Sequence, residues 1–246
     1  MSDDPTAGPG SPTRPAVPPR PAEDLKIAGL VPLSTCDWPG RLVATVFLQG
    51  CPWRCTYCHN PGLIDPRKPG VVPWSRVEDL LSRRVGLLDG VVFSGGEPTR
   101  QTALLDAARR ARAAGFGVGL HTAGAYPRRL AALLPLLDWV GLDIKAPAPR
   151  YEAITGTATT AAYASLDLVL AAGVELQVRT TVDPTVLDDT DLADLADAMA
   201  RRGVRDHVLQ EVRTTGVRPE YAAALERART GATEVAGHGP AALSRP

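Results

Sequence analysis

Residues 43–61 read VATVFLQGCPWRCTYCHNP, an apolar run followed at once by three cysteines within eight residues. Cys51, Cys55 and Cys58 have the spacing C-x-x-x-C-x-x-C. Three thiolates this close together can hold one metal centre, and thiolates favour soft metals or iron–sulfur clusters. A [4Fe–4S] cluster bound by three cysteines leaves one iron without a protein thiolate, and an open position is where a substrate or cofactor can bind.

Outside this stretch, apolar runs alternate with helical segments rich in alanine and leucine, such as residues 101–114 and 191–202. Helical segments that end at Gly115 and Gly173 show the usual C-terminal glycine. Strands that alternate with helices predict βαβ units around a parallel sheet. The six predicted strands cover residues 43–48, 91–93, 116–120, 139–144, 174–182 and 207–212.

The length of the chain limits the fold. Residues 1–24 are a proline-rich leader and residues 230–246 a similar tail, and we expect both to be disordered. The core domain between them, residues 25–229, is shorter than the ~250 residues of a complete eight-stranded barrel. We therefore predict an α/β fold, a partial (β/α)6 barrel of parallel strands, with an open doubly wound sheet as the alternative.

The charge balance argues against two classes of partner. Lysine plus arginine equals aspartate plus glutamate at 27 each, which gives no attraction to nucleic acid or to an anionic membrane surface. No apolar run is long enough for a transmembrane helix, and no signal peptide precedes the core. We expect a cytoplasmic protein, where thiols stay reduced and clustered cysteines favour metal binding or catalysis over disulfides.

Polar residues follow every predicted strand. Parallel α/β folds place their active sites at this end of the sheet, so we expect these residues to meet. In strand order they are the cysteine loop, the segment Ser94-Gly95-Gly96-Glu97-Pro98, His121 and Thr122, Asp143 and Lys145, Arg179, and Gln210 with Arg213.

Some of these side chains suit a ligand with an ammonium group or a purine. Paired glycines at 95 and 96 let a backbone approach a ligand closely, and the Glu97 carboxylate can hold an ammonium group. The alternative is an ordinary strand-to-helix turn, with Glu97 as a first-turn acid. Tyr57 can stack on a purine or simply pack the loop.

Charged residues on later strands suit a carboxylate or ribose. Asp143 and Lys145 share one face of a strand because side chains alternate along it. Arg179 can bind a carboxylate through two parallel hydrogen bonds. A structural ion pair is the alternative for all three residues.

A structural zinc site is the alternative use of the cysteines, with His59 or Cys36 as a further ligand. Zinc ribbons tend to use paired C-x-x-C units, and the sequence contains no second pair. His59 can otherwise donate a hydrogen bond near a cluster or be a plain loop residue. We expect Cys36, fifteen residues before Cys51, to be a small buried residue rather than a fourth ligand.

Taken together, these motifs resemble the radical S-adenosylmethionine enzymes. The cysteine spacing with an aromatic residue before the last cysteine is that family's hallmark, and Gly95-Gly96-Glu97 looks like its second motif. More narrowly, the chain is similar to the glycyl-radical-enzyme activases, and most similar to the activating proteins of anaerobic ribonucleoside-triphosphate reductase. The residues that carry this narrower likeness are 34–40, 47–51 and 57–61, with weaker similarity at 142–145, 178–182 and 208–210.

The resemblance implies an oxidoreductase with one [4Fe–4S] cluster, held by Cys51, Cys55 and Cys58, and S-adenosyl-L-methionine (SAM) on its open iron. An electron from a flavodoxin or ferredoxin would cleave SAM to a 5′-deoxyadenosyl radical. That radical would take a hydrogen atom from a glycine of anaerobic ribonucleotide reductase, reached through the side of the partial barrel.

The resemblance also implies which residues contact SAM. Gly96 and Glu97 would hold its amino group, and Lys145 and Arg179 its carboxylate or ribose. His121 stands where pyruvate formate-lyase activases often have an acid for a monovalent cation. The full predicted cofactor-binding set is Tyr57, His59, Gly95, Gly96, Glu97, Thr122, Asp143, Lys145 and Arg179.

Three other functions stay open at this point. The chain can instead be an activase of pyruvate formate-lyase or of another glycyl radical enzyme. It can also be a radical enzyme that acts on a small molecule. From a different class, a zinc-binding interaction module would use the cysteines without catalysis.

Overall fold

Seven strands form a single sheet in the computed structural model, which describes residues 20–158 and 160–235. The first strand pairs antiparallel with the second, and every later neighbouring pair is parallel. The strands are β1 (Ile27–Ser34), β2 (Val43–Leu48), β3 (Gly90–Gly95), β4 (Gly117–Thr122), β5 (Trp139–Asp143), β6 (Glu175–Val182) and β7 (His207–Glu211).

The order of strands in the sheet is the order along the chain. A doubly wound sheet reverses its order at a switch point, so this alternative is wrong. The six parallel strands β2–β7 confirm the predicted partial (β/α)6 barrel, and no pairing joins β1 to β7 within the described residues. The two sheet edges therefore stay apart, as in a partial barrel.

Helices connect the parallel strands. Gly115 and Gly173 follow helices with φ of 87° and 67°, the left-handed conformation that glycine adopts at little cost. Both predicted helix ends are therefore confirmed. The helices are α1 (Trp74–Ser82), α2 (Leu104–Ala113), α3 (Pro127–Leu133), α4 (Tyr151–Thr155), α5 (Ala161–Ala172), α6 (Asp189–Arg201) and α7 (Pro219–Val235).

The antiparallel strand β1 was absent from the sequence prediction. It contains Gly29 and Pro32, which weaken a strand pattern, and its register against β2 shifts at two places. Proline lacks an N–H and is tolerated on an edge strand such as this one. The irregular pattern explains why residues 27–34 were not recognised as a strand.

Both ends of the predicted core domain need correction. The leader was expected to extend to residue 24, but Ala22–Asp24 forms a short 3-10 helix in which Ala22 is buried. The Ala22 N–H donates to Asp106 Oδ2 at 2.9 Å. The tail was expected from residue 230, but α7 continues to Val235. Residues 1–19 and 236–246 lie outside the described part of the chain.

The N-terminal end of the barrel is filled by an indole from the loop between β1 and β2. Trp38 stacks on Trp139 with ring centroids 5.8 Å apart. Glycine on the neighbouring strand makes room, because a Cβ on Gly119 would lie 2.9 Å from both Trp38 and Val92. This end is a packed core, which leaves the C-terminal ends of the strands for a site.

Within the described residues, no helix has the length and apolar character required to cross a lipid bilayer.

We predict that Gly119→Ala lowers the free energy of unfolding by about 1–3 kcal/mol, because the new methyl group overpacks against Trp38. Gly29→Ala is the matched control. Its Cβ would meet Phe47 at an ordinary 4.0 Å, so we expect a change within about 0.5 kcal/mol. Urea unfolding of the cluster-free protein measures both, and equal losses would contradict the packing argument.

Candidate active site

The C-terminal ends of the parallel strands surround a cavity of about 560 Å³, within the usual range for a small-molecule site. All three cysteines of the motif line it, although they come from one loop and the other lining residues come from several strands. The predicted site residues in the lining are Cys51, Cys55, Tyr57, Cys58, His59, Gly95, Gly96, Asp143, Lys145 and Arg179.

The cysteine loop, residues 49–61, is irregular, so its backbone groups need partners outside regular secondary structure. The N–H groups of Arg54 and Thr56 donate to the carbonyls of Thr155 and Ile154, at 3.0 and 2.9 Å. Those two carbonyls belong to the end of α4. The C-terminus of a helix thus supplies acceptors that hold the middle of the loop in place.

A buried carboxylate holds the same loop from below. Asp183 has no exposed surface and follows β6 directly. Its Oδ2 accepts from the Thr56 hydroxyl at 2.6 Å, and its Oδ1 accepts from the hydroxyls of Tyr221 and Thr185 at 2.8 and 2.6 Å. Burial and the hydrogen bond to Asp183 raise the pKa of Tyr221. Asp183 therefore joins the cysteine loop to α7.

Sequence analysis missed Asp183, although its rule that polar residues at the C-terminal ends of parallel strands belong to the site would have included it. Asp183 stands at the end of a parallel strand, as the other candidate residues do. Its neighbours in Asp183-Pro184-Thr185 form a local turn, with the Thr185 N–H donating to Asp183 at 3.0 Å. Such a turn is easily dismissed as a loop signal.

The segment after β7 crosses the second half of the cysteine loop. Arg218 donates to the Cys55 carbonyl at 2.6 Å, and the Arg213 N–H donates to Nε2 of His59 at 3.2 Å. Gly216 packs so close that a Cβ there would lie 2.4 Å from the His59 carbonyl oxygen. His59 thus accepts a hydrogen bond through Nε2, and the two alternatives from the sequence, a hydrogen-bond donor near a cluster or a plain loop residue, stay open. Burial lowers its pKa.

The two glycines after β3 are required by packing between chain segments. Gly95 has φ of 121°, and a Cβ on Gly96 would lie 2.6 Å from the Gly50 carbonyl oxygen. The Glu97 N–H donates to that same carbonyl at 3.0 Å. The glycines therefore let β3 support the start of the cysteine loop, and their backbone still lines the cavity.

The Glu97 side chain lies outside the cavity lining and has no exposed surface. Its Oε1 accepts from the Thr99 N–H and hydroxyl and from the Thr122 hydroxyl, at 3.1, 2.5 and 2.6 Å. Its Oε2 accepts from the Ala123 N–H at 2.8 Å. Burial raises the pKa of Glu97, and these hydrogen bonds oppose that shift.

The side chains of Glu97 and Thr122, both predicted to contact the cofactor, lie outside the cavity lining. The Glu97 carboxylate caps the short 3-10 helix Pro98–Arg100, as the strand-to-helix alternative proposed. Thr122 is also buried and donates to Glu97 instead of lining the cavity. Both side chains support the cavity wall from behind, because a buried carboxylate is stable only where donors surround it.

Asp143, Lys145 and Arg179 form one charged group in the lining. Asp143 lies 3.3 Å from Lys145 Nζ and 2.9 Å from Arg179 Nη2. Burial raises the pKa of Asp143, but the two cations outweigh it and bring that pKa to about 2. Burial lowers the pKa of Lys145, and Tyr57 and Asp143 more than compensate, so the amine stays protonated. Two cations and one anion suit an anionic ligand group.

Tyr57 lines the cavity but has only 5% of its surface exposed. The Lys145 amine lies 5.5 Å from its ring centroid, a cation–π contact. Little ring area is left for the predicted stacking on a purine. The Tyr57 hydroxyl is buried without a hydrogen-bond partner among the described residues, so a bound group could supply one.

Cys36 and His121 do not contribute to the cavity lining. Cys36 is exposed, so the prediction of a buried residue is wrong, and its sulfur lies 3.4 Å from the Ser34 hydroxyl. His121 contacts the Asp37 carbonyl through Nε2 at 2.6 Å. Burial and nearby Arg179 lower the pKa of His121 to about 4, so it is neutral near pH 7 and packs inside the barrel.

The residues present fit a cluster better than a single zinc ion. Of the two residues considered as a further zinc ligand, Cys36 lies outside the cavity lining, and His59 Nε2 already accepts a hydrogen bond from the Arg213 N–H. Zinc needs its ligands around one point, whereas a cluster bonds each cysteine to a different iron. Burial raises the pKa of Cys51 to about 12, so a cationic metal centre is needed to hold the thiolate.

Residues 45–200 match the Radical SAM superfamily. The chain belongs to this superfamily. A Methanocaldococcus jannaschii protein provisionally named a glycyl-radical enzyme activating enzyme is 33% identical over 180 residues, 69% of this chain and 73% of that protein. The pyruvate formate-lyase-activating enzyme of Clostridium pasteurianum is 31% identical over 169 residues, 66% of this chain and 71% of that enzyme. This radical SAM protein is thus homologous to glycyl-radical enzyme activating enzymes.

A solved structure of anSMEcpe with bound AdoMet shares the fold. The TM-score is 0.53 and the sequence identity 19%, over 67% of this chain and 48% of that one. This chain therefore spans about half the length of that protein. Radical SAM enzymes use a [4Fe–4S] cluster and S-adenosylmethionine, which agrees with the cysteine-lined cavity described above.

We predict that Glu97→Gln lowers the free energy of unfolding of the cluster-free protein by about 2–4 kcal/mol, because an amide nitrogen would face donors in a buried site. Exposed Glu175→Gln is the control and should change it by less than about 0.5 kcal/mol. Chemical unfolding measures both. A Glu97→Gln protein of normal stability that loses only its affinity for SAM would show that the carboxylate acts as a ligand instead.

We also predict that Tyr221→Phe weakens cluster retention, because Asp183 loses one of the donors that fix it under Thr56. The loss of unfolding free energy should be about 1–3 kcal/mol. Iron content and visible absorbance after anaerobic gel filtration measure retention. Tyr126→Phe is the control, since the Tyr126 ring contacts Arg129 and is absent from the residues that line the cysteine-containing cavity. Equal retention in both variants would contradict a role for α7.

Proposed function

We propose that the chain is an activase that installs a glycyl radical on anaerobic ribonucleoside-triphosphate reductase. One observation carries this proposal. The three cysteines, the glycine backbone after β3 and the Lys145–Arg179 cation pair all line a single cavity. Homology to glycyl-radical enzyme activating enzymes supports the reaction class.

Cys51, Cys55 and Cys58 would hold a [4Fe–4S] cluster, which when bound would supply the electron for reductive cleavage of SAM and so the hydrogen-abstracting chemistry of the reaction. The chain's own residues position SAM for this step. Lys145 and Arg179 offer cations to its carboxylate, and the backbone at residues 95 and 96 offers acceptors to its amine. Asp143 fixes both cations through its ion pairs.

A protein substrate suits the open side of the barrel. The sheet ends at β1 and β7, which do not pair among the described strands. Gln210 and Glu211 on β7 and the following Arg213 are exposed and line the cavity. A loop of a partner enzyme that carries the glycine can enter here. We place the reaction in the cytoplasm, where thiols stay reduced, with a flavodoxin or ferredoxin as electron donor.

Pyruvate formate-lyase is the second candidate partner. The relative from Clostridium pasteurianum is named for that enzyme and matches 66% of this chain. Anaerobic ribonucleotide reductase is favoured by the sequence likeness of residues 34–40 and 57–61.

The test is to mix the reconstituted, reduced protein anaerobically with SAM and, in separate tubes, each candidate partner from the same organism. We expect a glycyl radical doublet in the EPR spectrum with ribonucleotide reductase and none with Cys55→Ala. A doublet with pyruvate formate-lyase alone would change the partner. Formation of 5′-deoxyadenosine without either doublet would point to another substrate, and neither signal from a protein with an intact cluster would refute the activase.

A further inference from the structure

The two edges of the sheet are built differently. At the β1 edge, Pro32 and two register shifts against β2 interrupt the strand. The carbonyl of Ile27 also accepts hydrogen bonds there from the N–H groups of Val71 and Val72, at 2.7 and 3.1 Å. Proline, bulges and a covering segment are the usual devices that stop a sheet edge from pairing with another chain. The β1 edge is therefore protected.

The β7 edge carries none of these devices within the described residues. The strand reads HVLQE, with no proline or glycine, and it pairs with β6 without a register shift from His207 to Glu211. In the part of the chain that the structure describes, β6 is the only strand that pairs with it. The strand is half-buried at His207 and Val208 and exposed from Leu209 onwards. This edge is therefore open to another chain.

Half of the backbone groups of β7 point away from the sheet. The Val178 N–H of β6 donates to the Asp206 carbonyl at 2.8 Å. Because alternate residues of a parallel strand bond the same neighbour, residues 206, 208 and 210 face β6. The N–H and C=O groups of Leu209 and Glu211 therefore face outward, and no hydrogen bond from the described residues reaches them. Groups in this spacing match an extended polypeptide that adds as a further strand.

The open edge also has an apolar contact and leads into the active site. The Leu209 side chain is 46% exposed. When a peptide adds to a sheet edge, main-chain hydrogen bonds supply affinity and contacts with alternate side chains supply specificity. The next residues along the chain, from Gln210 to Arg213, line the candidate active site. A segment that pairs along β7 thus brings its adjoining residues to the cavity.

We propose that β7 is the docking site for the glycine-bearing segment of the partner enzyme, which binds in extended form as an additional strand of the sheet. The inference rests on the proposed function, which supplies a polypeptide as the substrate. The free edge selects an extended main chain rather than a helix or a folded surface. Glycine suits the residue that leaves the strand, because it can turn into the cavity without a side chain to accommodate.

The experiment measures how synthetic peptides that span the target glycine of each candidate partner enzyme bind to the reconstituted holoprotein with SAM. Leu209→Pro removes one outward N–H but no hydrogen bond to β6. Leu209→Lys keeps the backbone and places a charge on the edge. We expect the Kd, measured by fluorescence anisotropy, to rise by about 10-fold or more in each variant.

Leu33→Lys is the matched control. Leu33 is a leucine with 50% of its surface exposed on the protected β1 edge, so we expect this variant to bind the peptide with the wild-type Kd. SAM cleavage driven by dithionite without peptide is measured for every variant as its reference, together with the iron content.

Hydrogen exchange separates strand addition from a contact that is merely nearby. Peptide binding should slow the exchange of the Leu209 and Glu211 amides in the wild-type protein, because both N–H groups gain acceptors. Peptides with N-methyl groups at alternate residues test the same bonds from the other side. Since only one side of the added strand faces β7, methylation of one set should raise the Kd by about 10-fold and methylation of the other set should not.

Two results would overturn the docking site. One is a wild-type Kd in both Leu209 variants, with unchanged exchange at residues 209 and 211. The other is self-association of the protein that requires Leu209 and that the peptide does not displace, which would assign β7 to a second copy of this chain. Wild-type protein that binds the peptides along β7 but forms no glycyl radical on either partner enzyme would refute the proposed function and leave the docking site standing.

Discussion

The position of one irregular loop determines what the rest of the molecule must do. Three thiolates have to face a common space from a segment with no regular hydrogen-bond ladder. Three parts of the barrel supply the missing contacts of the loop. The end of α4 and Asp183 accept hydrogen bonds from it, and the chain after the β3 glycines donates one to it. Each support bonds the loop backbone or Thr56, which leaves the sulfur atoms free for metal.

The charged residues of the site fall into two groups: those that hold the cavity wall in place and those that line the cavity. Glu97 and Asp183 are both fully buried carboxylates surrounded by donors, and neither lines the cavity. Asp143 and Glu211 are the acids in the lining, and Lys145 and Arg179 hold Asp143 ionised. Buried acids thus build the wall, while the net positive charge at its surface is left for a ligand. In such a site, the residues that contact a ligand can be substituted with little effect on the buried residues that hold the cavity wall.

Sequence patterns were sufficient wherever local chemistry dictates structure. Six apolar runs predicted the six parallel strands, and the strand-end rule brought Asp143, Lys145 and Arg179 to the cysteines. Sequence patterns failed where tertiary contacts determine the direction or the exposure of a side chain. Glu97 has the same sequence neighbours whether its carboxylate faces a ligand or Ala123, and the direction depends on Thr122 from the next strand. Cys36 was misplaced because the exposure of a loop residue depends on tertiary contacts that its sequence neighbours do not reveal.

The bonds that hold the cysteine loop span much of the chain, and this imposes an order on biogenesis. Thr56 and Asp183 are 127 positions apart, and Cys55 and Arg218 are 163 apart. When the ribosome has made the cysteines, the strand and helix that secure them do not yet exist. A fully supported cysteine loop therefore requires that the chain has been made at least as far as Arg218. Until then the nascent chain carries unprotected thiols, and maturation needs a reducing environment or a carrier that shields them.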